Sequence, residues 1–306
     1  MPTWMSLFLL AGCGGKDTAE EGPEGTAEAP PYIADEDTTD VPDVRPKDLS
    51  SAIEEAIAAM MELRSAPLVA AYSSAVAGGD EECPTWAQGS EYWFDSCTSE
   101  DGTRFEGVGA LTEYEDFTQG DYTYSGSQLY TVGSIVTPEG HTFKGSGGSA
   151  DLWGTSTGGE LIQYVSFEGD FSWDGPGAAG TWLESGHSPW LTMWATTAPS
   201  GWRTLVVDGT LTGITEASAV VFHEVTVMSG DFGDTCVPEP SGAISIRDLE
   251  GNWLELEFDG TGGEDWPPPE AACDGCAQGW YRGIDVGQIC PDVDRLRDWE
   301  GPYPWH

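Results

Sequence analysis

Leu161-Ile162-Gln163-Tyr164-Val165-Ser166-Phe167-Glu168-Gly169-Asp170-Phe171-Ser172-Trp173 carries the clearest periodicity in the chain. Leu161, Val165, Phe167, Phe171 and Trp173 fall on one parity, and Ser166, Glu168, Asp170 and Ser172 on the other. Successive side chains of a strand point to opposite faces, so this segment reads as a strand with one face buried. The same period of two recurs at residues 91–97, 103–114, 128–136, 202–214, 219–228, 243–247 and 252–258. Short turns such as Glu100-Asp101-Gly102, Pro138-Glu139-Gly140 and Leu249-Glu250-Gly251 join these segments, as in antiparallel hairpins. Asp101-Gly102-Thr103-Arg104-Phe105 is echoed by Glu139-Gly140-His141-Thr142-Phe143 at an irregular spacing, which reads as repeated hairpins in one sheet rather than a solenoid. The expected fold is mainly β: an antiparallel meander forming a sandwich or a curved, partly closed sheet over residues 80–300.

Upstream of residue 80 the period is helical. Ser51-Ala52-Ile53-Glu54 has capping-box form, and Ile53, Ile57, Met60, Met61 and Arg64 follow at helical spacing. Pro67 is expected to interrupt, with a second helix over 68–77 ended by Gly78-Gly79. Residues 46–79 therefore read as a small helical cap on the β domain. Residues 13–45 are rich in Glu, Asp, Thr, Pro, Ala and Gly with little to bury, and read as a disordered acidic tether.

At the start, Leu7-Phe8-Leu9-Leu10 leads into Ala11-Gly12-Cys13. This run resembles a bacterial lipobox, and Leu10-Ala11-Gly12-Cys13 is similar to the processing site of bacterial lipoproteins. The resemblance implies a signal peptide at 1–12, lipidation of Cys13, and an extracytoplasmic chain held to the cell envelope by lipid, at the outer membrane or cell surface. The apolar run is too short for a spanning helix of about 20 residues. Residues 1–12 contain no Lys or Arg, so a translation start upstream of Met1 is expected.

The chain has 11 Lys plus Arg against 53 Asp plus Glu, a net charge of -42. Such a surface repels nucleic acid and anionic headgroups and favours solubility, cations or basic partners. No calcium-loop repeat, phosphate loop, dinucleotide fingerprint or His-rich metal motif is present, so no cofactor and no metal is expected.

Besides Cys13, the cysteines are Cys83, Cys97, Cys236, Cys273, Cys276 and Cys290. An even number in an oxidising compartment reads as disulfides. Of their connectivities only Cys83 with Cys97 is expected from proximity. Cys273-Asp274-Gly275-Cys276 also admits a zinc knot completed by Cys236 and Cys290, or a redox pair.

Fourteen tryptophans are present, and Trp182, Trp190, Trp194 and Trp202 cluster. Trp190, Trp194 and Trp202 are the candidate binding residues, because aromatic rings on a rigid sheet stack on sugars and other flat ligands. Gly154-Thr155-Ser156-Thr157-Gly158 spells a nucleophile elbow, but a strand follows where the elbow needs a helix. His223 alternates with Val221, Val225 and Val227 and reads as an inward histidine. Glu168 with Asp170, and Glu255 with Glu257, share strand faces and are the carboxylate pairs available to a glycosidase. The leading expectation is a non-enzymatic envelope module, structural or binding a glycan or protein, with a secreted hydrolase using paired carboxylates as the alternative.

Overall fold

The computed structural model describes residues 46–85, 92–231, 239–260 and 275–299, so the expected signal peptide, the tether and Cys13, Cys236 and Cys273 lie outside the described residues. The described residues form a 13-stranded antiparallel sheet in meander order. The strands are β1 (Tyr92–Thr98), β2 (Arg104–Gln119), β3 (Tyr122–Val136), β4 (Thr142–Ser156), β5 (Leu161–Glu168), β6 (Phe171–Trp173), β7 (Ser188–Thr197), β8 (Arg203–Thr212), β9 (Ala217–Ser229), β10 (Ser241–Asp248), β11 (Trp253–Asp259), β12 (Ala277–Tyr281) and β13 (Ile284–Ile289). The sheet does not close: β1 and β13 are its two ends. This selects the curved or open sheet over the sandwich.

Five hairpin turns share one hydrogen-bond pattern. Gly102, Gly140, Gly159, Gly201 and Gly251 each donate back to the residue three before, and that residue pairs with the one after the glycine. All five glycines have positive φ. This is a three-residue loop closed by a left-handed position that a β-carbon disfavours. The echoed turns of the sequence are two of the five.

The segment 161–173 is two strands, both paired with β4. Its parity holds in part: Val165, Phe167, Phe171 and Trp173 are buried and Glu168, Asp170 and Ser172 exposed, but Leu161 is half-buried and Ser166, on the opposite parity, is buried as well. The break is at Gly169, with φ 138, which crosses Gly147 of β4. A β-carbon on Gly147 would meet the Glu168 carbonyl oxygen at 1.6 Å. β4 is missing from the strands expected above because Lys144-Gly145-Ser146-Gly147-Gly148-Ser149 has poor strand propensity. Pairing on both sides, with β3 and β5, overrides that propensity.

One face of the sheet carries the core. Trp93, Phe105, Phe143, Phe167, Val207, Phe222, Ile246 and Leu256 are buried on it. Helices α1 (Pro46–Glu62) and α2 (Ser65–Val76) supply Ile53, Ile57, Met60, Leu68 and Tyr72 to the same cluster. A short helix α3 (Trp182–Ser185) and a C-terminal 3-10 turn (Asp294–Asp298) add Trp182, Leu183 and Leu296. Trp182 is therefore core, its Nε1 donating to the Arg64 carbonyl at 2.8 Å.

Two details of the helical cap differ from expectation. α1 begins at Pro46, so Ser51 is interior and its hydroxyl contacts Glu216 instead of capping. The break between helices falls at Leu63-Arg64, and Pro67 lies in the first turn of α2, where its missing N–H costs nothing. The start of α2 is held by the sheet: the Ser65 N–H donates to Asp151 Oδ2 of β4 at 2.7 Å.

The two described disulfides sit at the two ends of the sheet. Cys83–Cys97 ties β1 to the segment after α2, and Cys276–Cys290 brackets the β12–β13 hairpin. Unpaired edges are where an open sheet frays or recruits other strands. Cross-links here restrain both of them.

Candidate functional site

The strand register orders the outer face, opposite the core, into cross-strand rows. One row runs Tyr92, Ala110, Tyr130, Gly148, Glu168, Trp190 from β1 to β7. Beside it, Phe94, Val108 and Val132 are in register on β1, β2 and β3. On its other side lie Thr112, Gln128, Ala150, Ser166 and Thr192. Phe94 is 53% exposed, Tyr130 43%, Val132 43% and Trp190 54%. Large exposed apolar side chains gathered on one face mark interaction surfaces, whereas scattered ones do not.

Of the sequence-expected binding residues, Trp190 and Trp194 share the outer face of β7, about 13 Å apart at ~3.3 Å per residue. Trp194 is half-buried, edge-on to Tyr164 of β5 with ring centroids 6.0 Å apart. Trp202 lies in the loop before β8, at the far end of the β7–β8 hairpin, packed near Gly230. The structure thus spreads the three along one hairpin; Tyr130 shares the row of Trp190 three strands away, and Phe94 and Val132 lie in the adjacent row. Sequence reasoning missed those three residues because only register from β1 to β7 puts them on the same face as Trp190.

The His223 expectation is corrected. Glu224 has φ 47, a left-handed residue in a bulge of β9, so Phe222 and Val225 both point inward and His223 turns to the outer face. There His223 Nε2 lies 3.0 Å from Ser245 Oγ of β10. Ser245 is buried, and Glu255 is its direct partner on β11. A nucleophile and a base within reach need an open path to the hydroxyl and donors for the developing oxyanion. The buried Ser245 hydroxyl offers no such path.

Ser156 of the elbow-like motif is spent in the β4–β5 turn, its Oγ accepting the Glu160 N–H at 3.0 Å. Glu168 stands exposed on the outer face, and Asp170 binds the Ser188 hydroxyl. Glu255 and Glu257 lie on the outer side of β11. A shallow cleft of about 280 Å³ lies between α1 and α3, lined by Glu62, Thr181, Trp182, Glu184 and His187 among others. Both of its carboxylate residues are exposed. General acid–base pairs need burial to separate their proton affinities, and these have none.

The deeply buried carboxylates serve structure. Glu239 accepts the Gly275 N–H at 2.5 Å beside Cys276. Asp151 caps α2, and its burial pushes its pKa up to about 6, against the bond from Ser65 and the nearby Arg64 charge. Asp248, though partly buried, is held below the ordinary carboxylate range by Asn252, Tyr281 and the Glu250 N–H.

No family model, curated protein or solved structure matches this chain. The site must therefore be argued from its own chemistry. Cys276 is bonded to Cys290, which removes both from a four-thiolate zinc knot and Cys276 from a pair with Cys273. Among the described residues no cluster of His, Cys, Asp or Glu is arranged to hold a metal ion. Among them, too, no helix is long and apolar enough to cross a membrane.

Proposed function

We propose that this protein is a lipid-anchored, extracytoplasmic binding protein of a bacterial envelope, which engages its ligand through the outer face of strands β1–β7. The observation that carries this reading is the exposed aromatic and aliphatic surface of Phe94, Tyr130, Val132 and Trp190, on a sheet whose other face is filled by the core. Two disulfides at the ends of the sheet suit an oxidising, extracytoplasmic compartment. The lipobox-like Leu10-Ala11-Gly12-Cys13 supports lipid attachment at Cys13, with the acidic segment 13–45 as a spacer.

Co-sedimentation with purified bacterial envelope fragments tests both parts. The wild-type chain should sediment with the membrane fraction in full, and a Cys13→Ser variant should leave it. The Cys13→Ser protein should still bind delipidated envelope fragments, at least fivefold more than a Tyr130→Ala, Trp190→Ala double variant in the same background. Membrane association unchanged by Cys13→Ser refutes the anchor. Equal binding by the aromatic double variant refutes the outer face.

A further inference from the structure

The outer face between β1 and β7 carries few charged side chains beside its exposed apolar ones. In a chain with 53 acidic residues, the three adjacent rows between β1 and β7 contain two charged side chains, Glu168 and Asp170, and Asp170 is engaged by the Ser188 hydroxyl of β7. Among the exposed positions of these rows, Phe94, Thr112, Tyr130, Val132 and Trp190 are neutral. Between the aromatic side chains stand Ala110, half-buried, and Gly148, buried beneath its neighbours. The neighbouring row offers Thr112, Gln128 and Thr192 at its two ends, with Ala150 and Ser166 buried between them.

Rings alternating with shallow gaps and neutral hydrogen-bonding groups match one ligand chemistry. A sugar ring presents an apolar C–H face that stacks on Trp or Tyr and an equatorial rim of hydroxyls that exchange hydrogen bonds with Thr, Gln and a carboxylate. Tyr130 and Trp190 are three strands apart in one row, about 14 Å at ~4.8 Å per strand. Glu168 lies between them in register, positioned to accept hydrogen bonds from the hydroxyls of a ligand that bridges the two rings. A basic protein would be drawn to the acidic surface elsewhere, and anionic lipid or nucleic acid would be repelled by it. An uncharged ligand meets neither field.

We infer that the Tyr130–Glu168–Trp190 row is a binding platform for a neutral glycan chain laid across strands β3 to β7. This rests on the outer-face binding reading above and names the ligand class for it.

Native gel electrophoresis of the purified full chain, in gels with and without hydroxyethyl cellulose, galactomannan or dextran, tests the inference. The expected result is retardation by at least one polysaccharide. Tyr130→Ala and Trp190→Ala should each weaken it at least tenfold while keeping the wild-type melting temperature. Phe117→Ala, an exposed aromatic outside these rows, should leave it unchanged. Retardation that survives both platform substitutions overturns the platform. Absence of retardation by all three polysaccharides overturns the glycan class. If the Cys13→Ser protein then still sediments with envelope fragments through Tyr130 and Trp190, the outer-face reading stands with a different ligand; if it does not, both fall. Binding instead to phosphatidylcholine vesicles, lost in Phe94→Ala, assigns the face to a lipid surface and also overturns the inference.

Discussion

Asp151 of β4 accepts the N–H of Ser65, a residue 86 positions earlier, at the start of α2. Nothing in its local sequence predicts a buried carboxylate there. Its ordinary value is 3.8, and burial lifts it to about 6 in the folded chain. The folded state therefore holds this proton more tightly than the unfolded state. Its contribution is full below about pH 3.8 and is lost as pH rises through about 6. A displacement of that size corresponds to roughly 3 kcal/mol at most. Asp151→Asn keeps an acceptor for the Ser65 N–H and removes the charge. The stability difference between the Asp151→Asn variant and the wild-type protein, from urea midpoints, should be small at pH 4 and grow in favour of the variant by pH 7.5. A difference that does not change with pH would show that Asp151 carries no excess proton. Similarly, the outward turn of His223 rests on one left-handed residue, Glu224, which no alternation of Val and His reveals.

Among the elements, strand and turn were legible where side-chain alternation and glycine coincide. The turns at Gly102, Gly140 and Gly251 follow from sequence because only a left-handed position closes that loop. β4 and β7 were not legible, for different reasons. β4 is too rich in Gly and Ser to show propensity, and the Trp, Pro and Gly of 186–201 obscured the alternation of β7. The ends of the sheet depend on covalent restraint. Cys83 and Cys97 close a loop with a sequence separation of 14. Chain-entropy arguments give about 3 kcal/mol for such a loop. Replacing both by Ser should lower the stability of the non-reduced protein by that order, with amide exchange rising in β1 before the central strands. Uniform acceleration across the sheet would mean that the disulfide does not act on the edge.

Across the full chain, a net charge of -42 with few cations means long-range self-repulsion that compactness makes worse. Salt screens charges separated by more than about 10 Å at 0.1 M. The melting temperature should rise on the order of 5 °C between 10 mM and 0.5 M NaCl, measured by circular dichroism. A flat or falling profile would show that the acidic groups are already neutralised, for example by bound cations. The antiparallel β class, the helical start, the hairpin turns, the acidic surface and the pairing of Cys83 with Cys97 could all be read from the chain alone, because period, glycine position, composition and proximity are local properties. The open sheet, the Cys276–Cys290 bond, the capping of α2 by Asp151 and the common row of Tyr130 and Trp190 emerged only on folding. Those depend on register summed over many strands, where a single bulge or a one-residue shift moves a side chain to the opposite face.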